Sequence, residues 1–303
     1  MRNQLSNSLV DLANKYPNLL LLTGDHGYSL FDRYRKLFPS RYLNCGIAEQ
    51  NMVGMAAGLA RSGFIPVVYG LSAFIPIRVL EQIKIDVCHD LLPVVFLGDG
   101  AGFVYSTLGT SHQSTEDIAA VRAIPNLDIY SPADSFEMQW AMNLALKKCK
   151  PSYVRIGKSD IGNIHLEKLS FDHEKSMFIV RKGVSDVVFF ATGSMVKTAI
   201  KIADHLKDIS VYSVPRIKPF SDNLLLEAIS EKKIIVCFEE HSIYGGLGGM
   251  IAELVTSYMP LKILRIGVND RFSEKCGSYQ YLLKEHGLDF VAALNQVQNF
   301  LRL

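Results

Sequence analysis

Three short stretches constrain this chain more than any other feature: "NLLLLTG" (18–24), "FIPVVYG" (64–70) and "LPVVFLG" (92–98). Each is a continuous apolar run that closes on glycine. A strand with one wet face alternates apolar and polar residues, so a run that is apolar throughout is buried on both faces. Helical spacing fills the gaps, over Leu5 to Tyr16, 48–63 and about 77–89. In 48–63 the residues Met52, Met55, Ala56 and Leu59 are expected to share the buried face, with Gly63 ending the helix. The segment 115–124 has Thr115 as an N-cap candidate, Glu116 and Asp117 in its first turn, and stops before Pro125. "RYLNCG" (41–46), "LDIYSP" (127–132) and "SYVRIG" (152–157) read as further strands, with a helix at about 134–148 between the last two. Strands separated by helices predict an α/β fold, a mostly parallel sheet covered by helices.

The rhythm breaks at 159–183, a polar stretch with His165 and His173 that reads as a linker. A second alternating unit follows, with strands in "SDVVFFATG", "ISVYSVP", "KIIVCFEE" and "LKILRIG" and helices near 195–207, 221–230 and 247–258. The expected layout is therefore two α/β domains, 1–158 and 184–303, joined by 159–183. A chain of 303 residues, 49% hydrophobic and 20% charged, can fill two cores and is not disordered. Its net charge of +2, without a block of like charges, argues against nucleic acid or an acidic membrane as partner. No apolar run approaches the roughly 18 residues that span a bilayer, and the N-terminus lacks a signal-peptide apolar region. Five scattered cysteines without a CxxC pair suggest reduced thiols and a cytoplasmic protein.

Several residues carry possible chemistry. Glu49, in "CGIAEQNMVG", opens a helix just after a strand and is flanked by Ile47 and Ala48. Burial would favour a neutral acid there, whereas the helix N-terminus favours a carboxylate. Such a residue is either a working acid or an ordinary first-turn glutamate. His112 lies in a loop of small residues, Gly109 to Ser111, where it could face a substrate or cap its own loop. Phe74 follows a strand and fits either a core or a cofactor platform. Asp99 in "GDG", with Asn126 27 residues on, has the look of a metal–diphosphate motif. That motif needs both oxygens at the same end of neighbouring strands. Asn126 precedes its strand, so the spacing reads as coincidence. "YGGLGGMIAELV" (244–255) fits close helix–strand packing better than a phosphate loop. The neighbouring Glu239, Glu240 and His241 lack the convergent partners of a metal site.

Taken together, "GIAEQNMVGMAAGLA", "SAFIPIRVLEQIKIDVC", "GTSHQSTEDIAAVRAIPNLDIYSPAD" and "PSYVRIGK" resemble the pyrimidine-binding domain of the transketolase family. "SDVVFFATGSMVKTAIKIADHL", "YSVPRIKPFS" and "FEEHSIYGGLGG" resemble the family's C-terminal domain. The likeness spans almost the whole chain in the family's order. It implies thiamine diphosphate as cofactor and the C-terminal half of a transketolase, transferring a two-carbon ketol unit between a ketose-type donor and an aldehyde. By the same resemblance, Glu49 is the glutamate that hydrogen-bonds the aminopyrimidine, sharing the proton on which the cofactor's carbanion chemistry depends. Phe74 is the aromatic stacked on that ring, Asp25 and Ile47 lie beside the cofactor, and His112 faces substrate oxygens. His26, Ser29, Gly100 and Lys158 fall at substrate-side positions. Lys158 replaces the usual phosphate-binding arginine and so loses a two-pronged grip.

Two departures stand out. Leu108 replaces an aspartate that contacts a sugar hydroxyl, and Gly100 falls where a histidine is expected. Both changes suggest an unusual, less hydroxylated sugar or a small aldehyde. The family's diphosphate domain has no counterpart here. The resemblance therefore implies a separately encoded partner that binds the diphosphate and Mg²⁺ or Ca²⁺, an α₂β₂ assembly, and no metal site in this chain. A 2-oxoacid dehydrogenase β chain, a related decarboxylase or synthase, and a non-catalytic paralogue are the alternatives.

Overall fold

The computed structural model describes residues 2–27, 29–158, 162–172 and 175–302. Residues 159–161 and 173–174 of the expected linker, His173 among them, lie outside these. The strands in chain order are β1 (Leu19–Thr23), β2 (Tyr42–Asn44), β3 (Ile65–Leu71), β4 (Val95–Asp99), β5 (Asp128–Tyr130), β6 (Ser152–Ile156), β7 (Phe178–Arg181), β8 (Val187–Ala191), β9 (Ser210–Ser213), β10 (Arg216–Lys218), β11 (Ile234–Ser242) and β12 (Lys262–Val268). The first sheet has the order β10-β5-β6-β4-β3-β1-β2 and the second β12-β11-β8-β9-β7. Both are parallel except for one antiparallel edge strand each, β10 and β7. The architecture is the expected one: two parallel-rich sheets covered by helices.

The three apolar runs become the central strands β1, β3 and β4, and β1 and β4 are buried at every residue. Their register is level. Asn44, Thr23, Tyr69, Leu97 and Val154 form one row across five adjacent strands. The loops after these strands therefore start at or just beyond one line, along the carboxyl edge where open α/β sheets place their sites. Helices Arg2–Lys15 and Ser135–Lys147 pack on one face of this sheet. Helix Glu49–Arg61 packs on the other, in a core that runs on without a break to Leu225, Ile229, Leu247 and Val255 of the second half.

The structure corrects four details. Helix Glu49–Arg61 buries Glu49, Met52, Val53, Ala56, Ala57 and Ala60, so its inner face is turned from the expected one and Met55 is exposed. Residues 77–89 do not form one α-helix. A 3₁₀ turn (Ile77–Val79), a short α turn (Leu80–Gln82) and a π-helical stretch (Ile83–Cys88) follow one another, the wider turns common at functional sites. The expected linker ends in a strand, β7, which pairs with β9. Its polar neighbours hide its short β-type run, "FIVR". Finally β10, although in the second half, joins the first sheet against β5. The chain crosses over at Pro215, whose carbonyl accepts the Ser131 N–H. The sheets therefore do not divide at 158 and 184.

Candidate active site

Strand β2 ends at Asn44, whose side-chain oxygen accepts the Gly46 N–H at 2.9 Å. Gly46 takes φ +70, a left-handed turn that glycine permits without strain. The turn delivers Glu49 to the first position of its helix, where it is only 5% exposed. Arg78 Nη1, from the segment after β3, donates to Glu49 Oε2 at 3.0 Å. The same guanidinium lies 4.1 Å from the centroid of the Phe74 ring. Phe74 in turn meets the imidazole of His112, from the loop after β4, at 5.4 Å and 65°. Glu49, Arg78, Phe74 and His112 thus form one continuous line across three adjacent loops. Three of these were singled out from sequence. Arg78 was not, although its spacing of four from Phe74 on a helical turn was a usable signal.

The loop carrying His112 is held from behind. Gly102 and Ser114 exchange backbone hydrogen bonds. Gln113 Oε1 accepts the Ser273 hydroxyl at 2.8 Å, and Ser273 also bonds His286 of the second half. His112 itself is half-buried, with Nδ1 3.0 Å from Ser111 Oγ.

The loop after β1 holds Asp25, His26 and Ser29. Asp25 and Ser29 are exposed, and Ser29 sits at φ +60. His26 is half-buried against Tyr69, with its buried Nε2 lacking a hydrogen-bond partner. Burial lowers its pKa, outweighing the charges of Glu49, Asp99 and Asp25. His26 also lines a cavity of about 250 Å³ with Gly27, Arg35, Tyr42 and Asn44. Ile47 stands 81% exposed beside the Glu49 turn. Lys158, just beyond β6, lies with Nζ 5.3 Å from the Tyr279 ring of the second half.

Gly100 has φ +84, and a side chain there would bring its first carbon 2.0 Å from the Tyr105 ring. Tyr105 thus fills the space over Gly100. Its hydroxyl donates to Asp99 at 3.2 Å. Tyr69 donates to Asp99 at 2.6 Å, and Arg2 Nη2 lies 3.4 Å away. Burial, reinforced by Asp99, pushes the Tyr105 hydroxyl up to about 12 and raises Tyr69 as well, so both remain donors. Asp99 is therefore committed to its neighbours. Asn126 donates to the Cys88 carbonyl. Asp99 is level with Ile156 and Asp128 with Ser152, which separates them by about 13 Å along the strands. Asn126 lies further still below, so these two residues do not share an ion.

Among the described residues, Asp134, Glu137 and His165 form a grouping with metal-ligand spacing. Its oxygens are engaged. Asp134 accepts the N–H groups of Phe136, Glu137, Ile164 and His165. Glu137 accepts the Ala133 N–H and bonds the His165 ring. Burial opposes charge on His165, but its bond to Glu137 prevails and raises the pKa. The cluster ties 163–165 to the start of helix Ser135–Lys147. Glu239, Glu240 and His241 are equally occupied. Glu239 caps helix Leu247–Tyr258 through the N–H groups of Leu247 and Gly248. A side chain at Gly246 would bring its first carbon 2.0 Å from Glu239 Oε2, so the glycine-rich stretch exists to admit this carboxylate.

Comparison with known proteins agrees with the geometry. Residues 1–163 match the family "Transketolase, pyrimidine binding domain" and residues 177–291 match "Transketolase, C-terminal domain". A provisionally named transketolase C-terminal section of Methanocaldococcus jannaschii is 36% identical over 95% of this chain and 92% of its own length. A subunit of the apulose-4-phosphate transketolase of Actinobacillus succinogenes is 33% identical over 84% of this chain and 83% of its own. A solved split-gene transketolase, an inactive beta4 tetramer, superposes with a TM-score of 0.91 at 32% identity, covering 100% of this chain and 98% of that one. The chain belongs to the transketolase family, carrying its pyrimidine-binding and C-terminal domains.

Proposed function

We propose that this chain is the pyrimidine-side subunit of a thiamine-diphosphate enzyme that moves a two-carbon ketol unit from a ketose-type donor to an aldehyde. The observation that carries this reading is the line from Glu49 through Phe74 to His112 at the carboxyl edge of the first sheet. The cofactor fits these residues. A flat, hydrogen-bond-donating group already sits on Phe74 and bonds Glu49, namely the Arg78 guanidinium, and an aminopyrimidine offers the same flat shape and donor character. Bound there, thiamine diphosphate supplies the carbanion-stabilising chemistry. Glu49 holds or releases a proton at the ring nitrogen facing it. Phe74 fixes the ring plane. Asp25 and Ile47 flank it. His112 donates to an oxygen on which charge develops. His26, Ser29, Gly100 and Lys158 line the substrate side.

The diphosphate and its Mg²⁺ or Ca²⁺ belong to a separately encoded partner, in an α₂β₂ assembly. This is supported by the commitment of Asp99 to Tyr69, Tyr105 and Arg2. The relatives are themselves subunits, one of them apulose-specific by name and another an inactive tetramer of its beta chain. On the substrate side, Leu108 is 53% exposed in the His112 loop and Tyr105 fills the space over Gly100. These features favour an unusual sugar over an ordinary ketose phosphate.

Reconstitution with the diphosphate-binding chain tests the proposal. Cofactor-dependent transfer should be absent from either chain alone and present in the mixture. Glu49→Gln should lower it by about a hundredfold or more, with the melting temperature unchanged. Turnover by this chain alone, or CO₂ release from a 2-oxoacid in place of transfer, would overturn it.

A further inference from the structure

We infer that Arg78 is an internal competitor: in the cofactor-free chain its guanidinium occupies the seat of the aminopyrimidine and must leave before the ring can enter. This inference rests on the proposed role of Glu49 and Phe74. A ring seated there needs two contacts, a face of Phe74 and the Glu49 carboxylate. Arg78 makes both at once, at 4.1 Å from the ring centroid and 3.0 Å from Oε2. Guanidinium is planar and presents its donors in a fixed fork, so it can stack and bond in one pose as a heteroaromatic amine would. A second flat group cannot share that face and that oxygen.

The surroundings suit a displaceable occupant. Glu49 is buried, with a side-chain exposure of 6%, whereas the Arg78 side chain is 44% exposed. The carboxylate is fixed, and its cover reaches solvent. Arg78 belongs to a single 3₁₀ turn, Ile77–Val79. Its long side chain can swing out while the backbone stays in place. A half-exposed ion pair and a half-exposed cation–π contact are each weak. Arg78 therefore lowers affinity without closing the site. The arrangement also keeps a buried carboxylate partnered until cofactor arrives.

The test uses the full chain without its partner. Thiamine, which carries the aminopyrimidine but no diphosphate, is the probe, and calorimetry or saturation-transfer NMR reads its affinity. Removing a competitor held by two weak contacts should tighten thiamine binding about three- to tenfold in Arg78→Ala. Arg78→Met should do the same. Arg78→Lys should fall between them and the natural chain, because a point charge bonds Glu49 but stacks poorly. Phe74→Ala should weaken binding and cancel the gain in the double variant. Melting curves confirm that each variant is folded. If Phe74→Ala weakens binding but Arg78→Ala leaves it unchanged or weakens it, Arg78 is a support for Glu49 and the inference fails alone. If thiamine binding ignores Phe74→Ala and Glu49→Gln, or is absent throughout, the functional reading fails and takes this inference with it.

Discussion

Two carboxylate–arginine pairs stand near the carboxyl edge of the first sheet, and they are built in opposite ways. In the first, Asp117 and Arg155 are buried, with side-chain exposures of 0% and 2%. Asp117 accepts Arg155 Nε at 2.8 Å and the Tyr153 hydroxyl at 2.7 Å. Arg155 Nη2 reaches on to the carbonyls of Ser114 and Glu240, the latter in the second half. Glu240 is itself filled by the Phe103 N–H, Ser194 and Tyr279. In the second pair Glu49 is buried, yet its partner Arg78 is half-exposed and comes from a short irregular turn. The first pair is a girder that locks two halves of the molecule together. The second holds a place. Saturation from several directions marks structure, whereas a buried acid covered by one swinging cation beside an aromatic face marks a seat.

The largest expected effect tests the girder. Asp117→Ala leaves Arg155 charged and uncompensated in the interior, which should cost about 3–5 kcal/mol in urea-unfolding free energy. Glu49→Gln should change the same quantity by less than about 1 kcal/mol, since its partner is half-exposed. Equal losses would erase the distinction between the two pairs.

A pH series sharpens the girder side further. Burial raises Glu239 to about 7 despite the Gly248 and Leu247 N–H groups, and lowers His241 to about 4. The folded chain thus keeps a proton on Glu239 that the unfolded chain releases near 4.5. That contribution to stability is complete below about 4.5 and is lost as pH rises through about 7. His241 runs the other way. Its contribution is complete above 6.5 and is lost as pH falls through about 4. Between pH 4.5 and 6.5 the two slopes oppose each other. Glu239→Gln should therefore steepen the loss of stability toward acid, and His241→Asn should leave a chain that weakens as pH rises. Melting temperatures across pH 4–8 read both outcomes.

The smallest effect belongs to Arg122, which spans the two halves at the surface through Glu253 and the Gly245 carbonyl. Arg122→Ala should cost no more than about 1 kcal/mol. A larger loss in urea unfolding would mean that partly exposed bridges also act as girders.

Local pattern determined much of this protein. Apolar runs closed by glycine specified β1, β3 and β4, because a strand buried on both faces has no freedom to alternate. The residue types around Glu49, Phe74 and His112 marked three loops, since such side chains after parallel strands stand out against an apolar background. Short "RIK" and "FIVR" carried too little periodicity to reveal β10 and β7, whose places depend on partners 86 and more than 30 residues away in register with β5 and β9. The inner face of helix Glu49–Arg61 likewise followed from the sheet and neighbours it packs against rather than from its own spacing. Above all, only the tertiary structure separated Asp117 from Glu49. In sequence each is an acid in the first turn of a helix. Whether such an acid becomes a girder or a seat depends on how many donors the rest of the chain brings to it, and those donors arrive from strands and loops far away in sequence.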